Sequence, residues 1–166
     1  GSVSTTFRIL LGTQQLNTVK CAPKGIQIQW EQLPGADGDV ILRSKNNGSF
    51  SRLKTVGSSS TNFTDTGVTS GKIYRYRIQA VSSAISSDYS VTKNTMFVKS
   101  ASLTDISNTA RGIALKWKKV SGISGYYIYR KSAADPTWRC LKQVTSASTT
   151  SATDTKAVQG EQYTYQ

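Results

Sequence analysis

Apolar residues in this chain recur at every second position over short runs. Ile26, Ile28 and Trp30 alternate with Gln27, Gln29 and Glu31, and Tyr74, Tyr76 and Ile78 alternate with Arg75, Arg77 and Gln79. Successive side chains of a strand face opposite sides of its sheet, so each run predicts a strand with one buried and one wet face. A third run, residues 39–43, is expected to turn Val40 and Leu42 inward and Asp39, Ile41 and Arg43 outward. Turn-formers separate the runs: Pro34-Gly35, Asn46-Asn47-Gly48, Asp65-Thr66-Gly67 and Ser70-Gly71. No window carries the i, i+3, i+4, i+7 apolar face of a helix. No apolar run approaches the roughly 18 residues needed to cross a bilayer as a helix, so membrane insertion is not expected.

The pattern occurs twice. Gly25-Ile26-Gln27-Ile28-Gln29-Trp30 is echoed 87 residues later by Gly112-Ile113-Ala114-Leu115-Lys116-Trp117. At the same offset Leu16 meets Leu103, Val19 meets Ile106, and Arg43 meets Arg130. One added residue shifts the offset to 88, where Phe50, Leu53 and Val56 meet Trp138, Leu141 and Val144. A second shifts it to 89, where Asp65, Gly71, Tyr74 and Tyr76 meet Asp154, Gly160, Tyr163 and Tyr165. Single-residue insertions in loops are how diverged repeats differ. Short strands, turns about every ten residues and no helix predict a β-sandwich in each repeat.

The stretch Gly112–Trp117, then Val120-Ser121-Gly122, then Gly125-Tyr126-Tyr127-Ile128-Tyr129-Arg130, resembles the first half of a bacterial fibronectin type III repeat. Thr153-Asp154-Thr155 with Gly160-Glu161-Gln162-Tyr163-Thr164-Tyr165 resembles the second half, and Trp30, Pro34-Gly35, Arg43, Asp65, Gly71, Tyr74 and Tyr76 mark the first copy. The expected class is therefore all-β: two tandem fibronectin type III-like β-sandwiches, the second lacking its last strand in this sequence. The resemblance implies three strands in one sheet and four in the other. It places Trp30 and Trp117 over the core and makes Tyr74 and Tyr163 tyrosine corners. The expected divisions are residues 11–98 for repeat 1 and 99–166 for repeat 2. Residues 1–10 are expected to be a leftover strand of a preceding repeat or an N-terminal strand, since Thr5–Leu10 resembles Asn94–Val98. The last strand of repeat 2 is missing, supplied by a segment outside this sequence, or supplied in trans by residues 3–10 of another copy, a head-to-tail self-association by strand donation. The joint, residues 97–103, has no Gly or Pro and is expected to be semi-rigid.

Composition narrows the chemistry. Histidine is absent and there are two cysteines, Cys21 and Cys140, so the usual Cys/His zinc site and any His-based nucleophilic centre are excluded. Cys21 is expected in the turn between the first two strands and Cys140 pointing away from the core. The carboxylates sit mostly in turns, and Asp37 with Asp39 falls far short of the six to eight oxygens a calcium site takes. No metal, no cofactor and no catalytic residue is expected. The segment Ser82–Tyr89, between the last two strands of repeat 1, lacks the Arg-Gly-Asp tripeptide that some adhesive repeats of the family carry there.

Against 9 acidic residues stand 21 Lys and Arg, a net charge of +12. The basic residues are mostly single and alternate with apolar ones, which argues against nucleic acid and for the wet faces of strands. One candidate face emerges: Arg43 and Lys45 are expected beside Arg75 and Arg77, with Ile41 between them. Arginine presents paired donors to sulfate, phosphate or uronate oxygens; the plainer alternative is a solvated face that discourages aggregation. The expected partners are an anionic polysaccharide or another surface protein. The functional expectation is a non-catalytic extracellular spacer or adhesion module of a bacterial cell-surface or secreted protein, cell-wall attached or released. The alternative is an accessory region of a secreted carbohydrate-active enzyme whose catalytic domain lies outside this chain.

Overall fold

The computed structural model describes residues 11–83 and 85–166, every one of them in a strand, turn or loop. The expected strand within residues 1–10, and its donation to another copy, lie outside the described residues. Two compact units follow each other, Gly1–Val98 and Lys99–Gln166.

The first unit has seven strands: β1 (Leu16–Ala22), β2 (Gly25–Trp30), β3 (Gly38–Lys45), β4 (Ser51–Gly57), β5 (Asn62–Asp65), β6 (Lys72–Val81) and β7 (Lys93–Phe97). They form the sheets β1-β2-β5 and β4-β3-β6-β7, antiparallel throughout. This is the three-plus-four layout of a fibronectin type III-like sandwich. The second unit has β8 (Leu103–Thr109), β9 (Gly112–Trp117), β10 (Tyr126–Ser132), β11 (Arg139–Val144), β12 (Ser151–Asp154) and β13 (Tyr163–Tyr165). Its sheets, β8-β9-β12 and β11-β10-β13, repeat those of the first unit without a counterpart of β7 among the described residues.

Strands β2 and β6 alternate as their sequences demand. Ile26, Ile28 and Trp30 from one sheet meet Tyr74, Tyr76 and Ile78 from the other in a dry core that Phe97 completes. Leu115, Trp117, Val120, Tyr126, Ile128 and Tyr165 fill the second core. Removing a buried aromatic side chain costs roughly 3–5 kcal/mol against alanine, so both tryptophans are framework residues.

Strand β3 departs from expectation. Ile41 is fully buried in the core, whereas Val40 and Leu42 lie on the other face of the sheet. Strand β10 has the same phase as β3: Tyr126 and Ile128 are buried and Tyr127 is 58% exposed. Both strands carry apolar or aromatic side chains on both faces, so alternation of polarity does not set their phase. Long-range pairing sets it instead: Ile41 lies opposite Ile78 and Arg43 opposite Tyr76, and directly opposed residues share a face.

Glycine is required where β2 starts. Gly25 has φ +155° and Gly112, its counterpart, φ +125°; a Cβ on either would collide with the carbonyl oxygen of Asp65 or Asp154. These approaches bring the end of β5 and β12 against the neighbouring strand. The first inserted residue of repeat 2 is also explained. Asn46 and Asn47 both take positive φ, 47° and 65°, in the tight hairpin between β3 and β4, the conformation of a type I′ turn. The second unit closes its hairpin differently, Ser132 N–H donating to the Asp135 carbonyl at 3.0 Å. Cys21 is not in the turn between β1 and β2: it pairs with Ile26 inside β1 and is exposed, as is Cys140.

Candidate ligand-binding face

The four residues expected to converge are divided by the sheet. In the β3–β6 register Arg43 lies opposite Tyr76 and Lys45 opposite Tyr74, while Arg75 lies opposite Ser44 and Arg77 opposite Leu42. Arg43 and Lys45 therefore belong to the face that bears the core tyrosines, and Arg75 and Arg77 to the outer face. Ile41 is buried in the core and separates nothing on the surface. A single patch of all four does not form.

Arg43 serves the framework. Its Nη1 donates to both oxygens of the buried Asp65, at 3.2 and 2.9 Å, and to the Gly67 carbonyl at 3.1 Å. Tyr76 Oη donates to Asp65 Oδ2 at 2.7 Å, and the Gly67 N–H donates to Oδ1 at 3.0 Å. The second unit repeats the clamp: Arg130 Nη1 and Tyr165 Oη each donate to Asp154 Oδ2 at 2.8 Å, and the Lys156 N–H to Oδ1 at 3.0 Å. Burial, reinforced by the bond to Asp65 or Asp154, pushes both the Tyr76 and the Tyr165 phenol well above the ordinary range. The hydrogen bond to Asp154 likewise raises Arg130 above the usual arginine value. Asp65 and Asp154, expected simply as turn residues, are buried hubs of these clamps.

The outer face assembles from three strands and a loop. Arg52 on β4 lies opposite Leu42, which in turn lies opposite Arg77. Arg77 carries its guanidinium carbon 4.4 Å from the Phe50 ring centroid and 3.8 Å from that of Tyr89, which comes from the segment between β6 and β7. Arg75 also lies over Phe50, at 5.3 Å, and its Nη2 donates to Ser44 Oγ at 3.1 Å and to the Gly48 carbonyl at 3.0 Å. The Nε atoms of Arg75 and Arg77 are buried without a hydrogen-bond partner. No carboxylate forms an ion pair with Arg52, Arg75 or Arg77 among the described residues.

Arg52, Phe50 and Tyr89 are the members that sequence reasoning missed. The i, i+2 spacing of Phe50 and Arg52 at the start of β4 was the available signal; Tyr89 gives none, because a loop has no period. The carboxylates at the other end of the sandwich are also engaged. Asp39 is buried, accepting from Trp30 Nε1 at 2.9 Å and Gln14 Nε2 at 2.6 Å, while Asp37 accepts from the Ser83 N–H at 2.7 Å. Asp135 sits in a local turn, where the Arg139 guanidinium and the Thr137 N–H hold its carboxyl below the usual range. Among the described residues no three Cys, Asp or Glu side chains gather as metal ligands, and no helix is long and apolar enough to cross a membrane.

The sequence matches no family model and none of the curated proteins. Solved structures are similar to it in fold. A two-domain fibronectin type III segment of chicken tenascin is 17% identical over 89% of this chain and 86% of that one, with a TM-score of 0.45. The FN1–FN3 domains of chicken CNTN1 are 20% identical over 85% of this chain and 55% of that one, with a TM-score of 0.42. A β-1,2-glucanase from Parabacteroides distasonis is 23% identical over 54% of this chain, with a TM-score of 0.49; the chain spans 13% of that enzyme's length.

Proposed function

We propose that this chain is a non-catalytic spacer and adhesion module that works outside the cell, in a secreted or surface-attached bacterial protein. The observation that carries the reading is the employment of its buried carboxylates. Asp39, Asp65 and Asp154 are all buried and all bonded to framework donors. A general acid or base must instead reach a substrate proton from a cleft. What the first unit presents outward is a set of arginines and rings fit for attachment.

Antibody raised against the chain should label intact, unpermeabilised cells of the source organism or their culture medium. Labelling that appears only after permeabilisation overturns the extracellular reading. Release of reducing ends from a polysaccharide by the purified chain overturns the non-catalytic one.

A further inference from the structure

The outer face of the sheet β4-β3-β6-β7 holds two guanidiniums in fixed planes with little else to bond. Arg77 lies between the Phe50 and Tyr89 rings, and among the described residues its guanidinium makes neither a hydrogen bond nor an ion pair. Arg75 shares the Phe50 ring and is steadied by Ser44 and Gly48 through one nitrogen. A cation held against a ring gains from the ring's quadrupole, yet that contact uses none of the five N–H donors of the planar fork. A guanidinium that is half-buried, immobilised and without a counter-ion is prepared for an oxyanion at its outer edge, because the ordering of a long side chain has already been met by folding.

Spacing defines the ligand. Residues i and i+2 of a strand stand about 7 Å apart on one face, and strands two removed lie about 10 Å apart. Arg75, Arg77 and Arg52 thus form a shallow triangle on a flat face, suited to anions spaced along an extended chain. Tyr89 is 42% exposed and adds one ring surface beside Arg77. A nucleic-acid single strand would want several stacking rings along a basic groove. A protein partner would need an acidic surface matched to these three cations, whereas an acidic polysaccharide repeats its anions along an extended chain.

We propose that Arg52, Arg75 and Arg77 bind an acidic polysaccharide through its carboxylate or sulfate groups, with Arg77, stacked between Phe50 and Tyr89, as the anchoring group. The proposal rests on the adhesive reading above and gives it a site. The second unit is its internal control. At the aligned positions it has Cys140, Thr164 and Gln166 in place of Arg52, Arg75 and Arg77. On the matching face, where Lys131 lies opposite Thr164, its ring and cation form a single pair, Lys131 Nζ 5.0 Å from the Trp138 centroid.

The test is calorimetric or surface-immobilised binding of the full chain to heparin, to polygalacturonate and to single-stranded DNA at fixed ionic strength. The triple variant Arg52→Gln, Arg75→Gln, Arg77→Gln should weaken polysaccharide binding at least about tenfold, since each lost charge-assisted bond counts for a factor of that order. The triple variant Arg111→Gln, Lys118→Gln, Lys119→Gln loses the same charge from exposed positions of the second unit and should weaken it less than about threefold by screening arguments alone. Arg77→Lys keeps the charge but not the fork, and should lose most of the affinity while circular dichroism confirms its fold. Heparin without polygalacturonate assigns sulfate, the reverse assigns carboxylate, and both support the site. Equal losses in the two triple variants, or preference for DNA, overturn it while leaving surface labelling to decide the adhesive reading separately.

Discussion

The two units bury a tryptophan at the same strand end and surround it with opposite chemistry. Trp30 donates Nε1–H to Asp39, and Asp39 is held from its other oxygen by Gln14. Trp117 has at the position of Asp39 the ring of Tyr126, packed edge-on at 5.3 Å and 64°, and its buried Nε1 has no partner. Tyr126 spends its own hydroxyl elsewhere, accepting from the Val120 N–H and donating to the Ala147 carbonyl. The Arg–Asp–Tyr clamp at the other end is, by contrast, the same in both units. One end of the sandwich therefore has a single polar solution, and the other tolerates two. The difference is physical: the clamp satisfies a buried charge with a cation, a phenol and a backbone N–H at once. The tryptophan end needs a filled volume first and a hydrogen bond second.

A further contrast separates the units. Leu16 is 4% exposed and Val19 packs on the first core, while their counterparts Leu103 and Ile106 are 37% and 52% exposed. In the first unit β7 lies along β6 and reaches β1, Phe97 entering the core and Lys93 Nζ donating to the Asn17 carbonyl at 2.7 Å. The second unit has no such strand among its described residues, and its first strand keeps its apolar side chains at the surface.

The shared clamp can be broken first, with the largest effect. Asp65→Ala leaves Arg43 and the Tyr76 hydroxyl without their acceptor, and Asp154→Ala does the same to Arg130 and Tyr165. Removing one partner of a buried ion pair costs about 3–5 kcal/mol, and each variant should lose that much from its own unit in urea unfolding followed by hydrogen exchange. Exchange in β2 should report the first unit and exchange in β9 the second. A loss under about 1 kcal/mol in either would show that the clamp does not hold its sandwich closed.

The tryptophan end should then separate the units. Trp30→Phe removes a donor from a buried carboxylate and is expected to cost roughly 2–4 kcal/mol, from lost volume and an acceptor left wanting. Trp117→Phe removes an N–H that has no partner, and only the volume is lost, about 1–2 kcal/mol. Equal costs would mean that the Trp30–Asp39 bond contributes nothing to stability.

How far these features were legible depends on which interactions carry them. Strands β2, β6 and β9 were plain because polar and apolar residues occupy different faces. Strand β3 was misphased, and β10 gives no phase of its own, because Val40-Ile41-Leu42 and Tyr126-Tyr127-Ile128-Tyr129 have no polar half to mark the outside. That error moved Arg43 and Lys45 onto the wrong face and hid Arg52 and Phe50. The clamp left a trace, since Arg43, Asp65 and Tyr76 all recur in the second copy. Yet the recurrence alone could not say that residues 22 and 11 positions apart meet, because sheet pairing rather than local chain geometry joins them.

Alkaline pH should next expose the clamps without mutation. Tyr76 and Tyr165 have folded-state values raised above the unfolded phenol value of about 10. Their contribution is full below pH 10 and is lost as pH rises above it, because the unfolded chain releases protons that the folded chain retains. Each should cost about 1 kcal/mol between pH 10 and 11. Tyr76→Phe should flatten that slope for the first unit and Tyr165→Phe for the second. A urea midpoint unchanged between pH 9 and 11 would contradict the burial of these phenols.

The smallest expected effect is at the tyrosine corner of the second unit. Tyr74 Oη accepts from the Thr69 N–H at 2.9 Å and Tyr163 Oη from the Val158 N–H at 3.1 Å, so each phenol closes the loop that precedes its strand. Tyr74 is almost wholly buried, whereas Tyr163 is half-buried and its bond is exposed. An unmade hydrogen bond costs more where water cannot replace it. Tyr74→Phe should accordingly cost about 1–2 kcal/mol and Tyr163→Phe about 0.5 kcal/mol or less. Amide exchange at Thr69 and Val158 gives the direct readout: protection at Thr69 should fall more steeply than at Val158, and the reverse order would show that burial does not decide the strength of the corner.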